Sequence, residues 1–288
     1  MIGRGGLLRP IPGGIYRVND TMINDLKSCE LIREHASNLG AVLAFEIAKE
    51  IGDNIPSYIA DPVVVDELEP LARYSGHPEL PNISIFHALN QKGIARRYAR
   101  DINSNYNDLT LIVVHLGGGI SVGLHHKGKV IDVNNALNGN GPFSPERSGT
   151  LPSASLVELC FSGKYSKNDI LKMITGKGGC VAYLGTNDLY EVEIRAFEKD
   201  DKEAMEVIEA MIYQISKEIA SLTPVVYGKV DAILLTGGIA HSKPIIDIMR
   251  KRIEFLAPVK VYPGEDEMQS LVESVYYANK GEIPLLVY

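Results

Sequence analysis

A chain of 288 residues, 45% of them hydrophobic, can bury a substantial core and is expected to fold as one large α/β domain or as two lobes. Its formal charge of −7, with no long run of like charge, argues against a polyanion-binding surface and hence a nucleic-acid partner, so an anionic substrate must be met locally by arginines or backbone N–H groups. Cys29, Cys160 and Cys180, an odd number at wide spacing, support neither a disulfide framework nor a zinc knuckle; with no long apolar run and no apolar leader, the expectation is a cytoplasmic chain without a membrane segment.

"MIGRGGLLRPIPGG" opens the chain, and Arg4 between Gly3, Gly5 and Gly6 looks like the middle of an anion site rather than a beginning. The stretch through Val18 is expected to be extended and turn-rich, set by Pro10, Pro12, Gly13 and Gly14. Leu39, Val42, Leu43, Ile47 and Ile51 recur near a 3.6-residue period and predict a helix over 34–52, ended by Gly52. A short strand over 56–67 runs into Asp61-Pro62, and a second helix, opened by Ser84, is predicted over 84–102.

From Leu109 the texture changes. Residues 109–137 read as a β-meander: an apolar strand, three glycines, an alternating strand, a Lys-Gly turn and a third strand. Helices are predicted near 153–161, 166–175, 187–198 and 201–222, the last long and amphipathic. Residues 230–253 then read as strand, glycine turn, helix, and 259–281 repeat that order. A boundary near residue 110 is the expected division, with a partial N-terminal lobe over 1–110 and a C-terminal lobe over 111–288.

Three stretches could carry chemistry. In "HLGGGIS" (115–121), glycines let backbone N–H groups approach phosphate oxygens without Cβ obstruction, although a tight hairpin needing positive φ explains them equally well. His115 taken alone reads as a satisfied core histidine. "LLTGGIAHS" (234–242) places glycines between a strand and a helix start, suited to an anion at the helix N-terminus or to an ordinary turn. Two such turns in one chain favour a nucleotide cleft, and neither fits a dinucleotide or Walker-type pattern. "GPFSPERSGTLP" (141–152) holds Arg147 in a Gly/Pro/Ser-rich loop, where a guanidinium can fork onto phosphate or carboxylate, or simply pair with Glu146 at the surface.

Taken together and in their order along the chain, "DPVVVDE", "SIFHALNQK", "HLGGGISVGLHHKGKVIDVNNALNGNGPFSPERSGTLP", "LTGGIAHS" and "PGEDEM" resemble the acetate kinase family, on its butanoate-phosphorylating branch, over essentially the whole chain. The resemblance implies the two-lobed, actin-like and ribonuclease H-like α/β ATPase fold. It also implies transfer of the ATP γ-phosphoryl group to butanoate, reversibly, with ATP and Mg²⁺ as cofactors. Acetate, propionate or a branched short-chain acid is the alternative acceptor. It further implies a homo-oligomer, a dimer or higher. Carried over by position, Arg4 and Arg147 match the arginines that hold the carboxylate and the moving phosphoryl group, His87 the histidine that hydrogen-bonds it, and Asp61 the catalytic aspartate. Glu267 resembles the glutamate that places magnesium, with Glu265 and Asp266 beside it. His115, Gly117, Gly118 and Gly119 match a phosphate loop, and Gly237 with Gly238 the adenosine loop. The chemistry suits these groups, because a carboxylate nucleophile is already ionised and needs alignment and charge neutralisation rather than a general base.

The sequence departs from the family at its start. No segment resembling Asn-Pro-Gly-Ser-Thr-Ser-Thr-Lys, the family's first phosphate loop, occurs. The expectation is that Met1 is an internal position of the family pattern and that the N-terminal lobe is incomplete. A separately encoded N-terminal fragment, or a non-catalytic nucleotide-binding remnant, is the corresponding alternative.

Overall fold

In the computed structural model, which describes residues 1–28, 37–52, 54–281 and 283–288, the chain begins with β1 (Ile2–Arg4), β2 (Ile15–Arg17), α1 (Asp20–Lys27), α2 (Asn38–Ile51), β3 (Tyr58–Ala60) and α3 (Ala88–Asp101). The meander follows as β4 (Thr110–Leu116), β5 (Ile120–His126) and β6 (Lys129–Val133). Next come α4 (Ser153–Phe161), α5 (Lys167–Ile174), α6 (Gly179–Leu184), α7 (Leu189–Phe197) and α8 (Lys202–Leu222). The chain closes with β7 (Ala232–Gly237), α9 (Lys243–Ile253), β8 (Val259–Pro263), α10 (Glu267–Asn279) and β9 (Leu285–Leu286). Cys29 and residues 34–36 of the first predicted helix lie outside the described residues.

Contacts divide the chain into two compact units, one of residues 1–107, 128–132 and 266–288, the other of residues 108–127 and 133–265. The first holds a sheet in the order β1-β3-β2-β9, with β1 parallel and β2 antiparallel to β3. Helix α2 lies on β1 at close range, and a Cβ on either Gly3 or Gly40 would collide with the backbone of the other element. The close approach needs small side chains, so α2 buries Ala41, Ala44 and Ala48. The apolar period that announces this helix is therefore not its packing face: Leu39, Leu43, Ile47 and Ile51 are exposed. The second predicted helix also starts later than Ser84. Ser84 Oγ donates to Val65 O at 2.7 Å and Phe86 N to Val63 O at 3.1 Å, which holds the segment extended until His87, the N-cap of α3.

In the second unit, strands run in the order β5-β4-β7-β8, with β4 antiparallel to β5 and parallel to β7. Every residue of β4 is buried. Helix α8 lays a helical-period stripe against the sheet, with Val207, Ile208, Met211, Ile212, Ile215 and Ile219 buried. Helix α6, six residues opened by Gly178 and Gly179, has no counterpart in the sequence reading, because so short an element shows no period.

Candidate functional site

Strand pairing creates one candidate site in each unit. In the first, Arg4 pairs in register with Ala60 across the parallel β1–β3 ladder, so Arg4 and Asp61 emerge side by side at the carboxyl ends of two strands, the edge where open α/β sheets place their ligands. His87 caps α3, and Glu267 opens α10. Arg4, Asp61, His87 and Glu267 line one narrow cavity of about 10 Å³ together with the apolar side chains of Val63 and Leu89. That volume holds no more than about one water. Arg4 Nη2 and Glu267 Oε1 close it at 2.9 Å.

The consecutive acids 265–267 diverge. Glu267 meets Arg4, Asp266 Oδ2 meets Arg97 Nη1 at 2.5 Å, and Glu265 lines the cavity of the second unit. Among the described residues no three His, Cys, Asp or Glu side chains gather into a ready-made metal cage. Two carboxylates, Asp61 and Glu267, nevertheless share the first cavity. This donor set fits Mg²⁺, which is commonly held by one or two carboxylates with phosphate oxygens and water supplying the rest.

In the second unit, His115 pairs with Thr236 across the parallel β4–β7 ladder, which brings the turn at 117–119 beside the turn at 238–241. Gly237 has φ of 93°, and a Cβ there would strike the Leu116 carbonyl, so only glycine serves. A Cβ on Gly238 would meet nothing within 4 Å. The cavity between these turns has a volume of about 500 Å³, within the range of small-ligand sites. Gly117, Gly118 and Gly238 line it with Tyr190, His241 and Glu265. The sequence motifs do not single out the last three as site residues. His241 lies inside a quoted motif, whereas Tyr190 arrives on α7 from a segment with no motif at all. His115 is buried beneath the turn, its Nε2 3.8 Å from Glu265 Oε1. The helix after the second glycine turn does not start at the glycines. A 3₁₀ turn over Gly238–His241 intervenes, and Ser242 caps α9.

Arg147 sits against Gly119, where an added Cβ would collide with its guanidinium. Its loop is tied to the glycine turn by Ser144, whose Oγ donates to Gly118 O at 2.5 Å and accepts from Arg147 N at 3.1 Å. Arg147 Nη1 donates to the Ala136 carbonyl, while the buried Nε has no hydrogen-bond partner among the described residues. Burial lowers its tendency to stay charged, against a weaker opposing pull from Glu146. A buried donor left without a partner in this way is rare in native structures. Burial pushes the Cys180 thiol up to about 11, which leaves it inert at neutral pH.

Residues 85–263 match the model of the acetokinase family. The chain is 56% identical over 282 residues, 98% of its length and 78% of the relative's, to butyrate kinase 2 of Clostridium acetobutylicum. It is 55% identical over 288 residues, 100% of its length and 80% of the relative's, to a probable butyrate kinase of Phocaeicola vulgatus. Among solved structures, acetate kinase of Porphyromonas gingivalis superimposes with a TM-score of 0.79 at 18% identity, covering 94% of this chain and 76% of that one.

Proposed function

The chain belongs to the acetokinase family, and on that premise we propose that it is a carboxylate kinase that transfers the γ-phosphoryl group of ATP to butyrate, giving butyryl phosphate and ADP, reversibly. The observation that carries this reading is the pair of cavities. One gathers Arg4, His87, Asp61 and Glu267 with the apolar side chains of Val63 and Leu89, charge beside hydrocarbon that suits a short acid once the Arg4–Glu267 pair opens. The other is lined by two glycine turns and has the volume a nucleotide requires. We take the first unit as the acyl side and the second as the nucleotide side.

In this reading the glycine turn at 117–119 receives the nucleotide phosphates and the turn at 237–238 the adenosine, while Arg147 offers its guanidinium to the moving phosphoryl group. Arg4 exchanges Glu267 for the substrate carboxylate, and His87 donates a hydrogen bond. No residue has to remove a proton from the nucleophile. Mg²⁺, held by Glu267 with Asp61 beside it, would neutralise charge on the phosphoryl oxygens.

Calorimetry tests the nucleotide half alone. Gly238→Val is expected to leave the melting temperature unchanged, because open space surrounds the position. It is also expected to weaken ATP binding about tenfold, or ~1.4 kcal/mol. Native affinity in this variant would move the adenosine site elsewhere.

A homo-oligomer is part of the proposal. Helix α4 buries none of its residues, and Val157 and Phe161, four residues apart on one face, are exposed, Phe161 at 87%. A second copy of the chain is expected to cover them. Phe161→Ser should shift the sedimentation coefficient towards the monomer; an unchanged coefficient would remove α4 from the contact.

A further inference from the structure

Helix α3 carries His87 at its start and then presents Lys92 and Arg96, four residues apart and therefore on one face. Each meets one acid of the segment 61–67. Arg96 Nη2 lies 2.8 Å from Asp61 Oδ2, and Lys92 Nζ lies 2.7 Å from Glu67 Oε2. Two successive backbone groups complete the lattice, as Gly13 N donates to Glu67 Oε1 at 2.9 Å and Gly14 N to Asp61 Oδ1 at 2.8 Å. The clasp is reciprocal, because Asp61 N donates to Gly14 O at 2.9 Å.

Asp61 needs this support. It is 2% exposed, and its φ of 38° is a conformation that residues with a side chain keep only when their surroundings impose it. A buried carboxylate also needs a counter-charge. Arg96 supplies it: burial works against the guanidinium charge, and the attraction and hydrogen bond of Asp61, together with Tyr106 and Glu67, outweigh that burial. Glu67 and the phenol of Tyr106 also face the guanidinium. Asp61 lines the cavity with Arg4, His87 and Glu267, whereas Arg96 is not one of its lining residues. The guanidinium acts from behind the acid.

We propose that Arg96 is a positioning residue for phosphoryl transfer: it fixes the Asp61 carboxylate against Gly14 in the orientation the cavity uses, without touching substrate. The role in transfer rests on the carboxylate kinase reading above; the clasp itself does not. Because α3 also begins at His87, one rigid helix sets both groups.

The test compares Arg96→Met, Arg96→Lys, Asp61→Asn and the double variant Asp61→Asn/Arg96→Met. Arg96→Met is expected to lower kcat by between about tenfold and a hundredfold, the usual range for a residue that orients a reacting group. The KM values for ATP and butyrate should stay near native, and Arg96→Lys should recover most of the loss. The double variant should be no slower than Asp61→Asn alone, because Arg96 works only through that acid. Should Arg96→Met fail to fold, Arg96→Gln takes its place. Hydrogen exchange at the Gly14 amide gives a readout independent of turnover: about tenfold faster in Arg96→Met and near native in Arg96→Lys. Unchanged Gly14 exchange, additive losses in the double variant, or a change confined to KM would each overturn the proposal. A native protein that transfers no phosphoryl group would overturn the carboxylate kinase reading instead, and Gly14 exchange would still decide for or against the clasp.

Discussion

Arg147→Ala is expected to lower turnover with ATP and butyrate by about 10²- to 10³-fold, the loss associated with removing one preorganised donor from a developing negative charge. The same variant should melt at the native temperature or above it. The guanidinium is buried against its own charge, and its Nε has no partner among the described residues. Removing an under-compensated cation relieves the fold while it disables the site. On the other side of the balance stand the hydrogen bond from Nη1 to the Ala136 carbonyl and the weaker pull of Glu146. Gly119→Ala should reproduce part of the kinetic loss, because its Cβ displaces that guanidinium. Steady-state kinetics and calorimetric melting on the two variants check both halves. Near-normal turnover in Arg147→Ala would remove the residue from the reaction, and a large fall in melting temperature would make it structural.

Lys92→Met should have the opposite profile. Lys92 and Glu67 are 3% and 9% exposed, and the ammonium spans both carboxylate oxygens at 2.7 and 3.0 Å while reaching Gly128 O at 3.3 Å. Glu67 also accepts from Gly13 N at 2.9 Å and Val130 N at 2.8 Å, so one acid joins the opening loop, α3 and β6 within the first unit. Breaking such a pair strands a buried carboxylate and costs about 3–5 kcal/mol. Urea unfolding should show that loss as a lower midpoint. A change below about 1 kcal/mol would mean that solvent reaches Glu67 and the pair is superficial.

The motifs of this sequence announce turns and strand ends better than they announce what packs against what. "HLGGGIS" and "LLTGGIAHS" were legible as glycine turns after buried strands because the apolar runs and the glycines are contiguous in sequence. That they lie side by side follows from the parallel β4–β7 ladder, which joins positions some 120 residues apart and leaves no local trace. Helix α2 shows the reverse. Its leucine and isoleucine period is what announces it, yet the helix packs through alanines and Gly40, because backbone proximity to β1 outweighs the burial of larger side chains there. The return of residues 266–288 to the first unit was equally hidden, since 259–281 read simply as another strand and helix. Of the site, single residues could be named from motifs, but partners could not. Arg96 and Lys92 lie within or beside "SIFHALNQK" and still gave no sign of which acids they hold, since Asp61 and Glu67 are 35 and 25 residues away in sequence.

The most direct test of the account is to incubate the protein with Mg-ATP and butyrate and to trap the product with hydroxylamine, following ADP in parallel. The chain is assayed as it stands and also joined to the family's leading phosphate-loop segment. The expected result is butyryl hydroxamate formed in step with ADP, dependent on butyrate and abolished by Arg147→Ala. ATP bound in the second unit with no acyl phosphate formed by either preparation, the behaviour of a nucleotide-binding remnant, would contradict it.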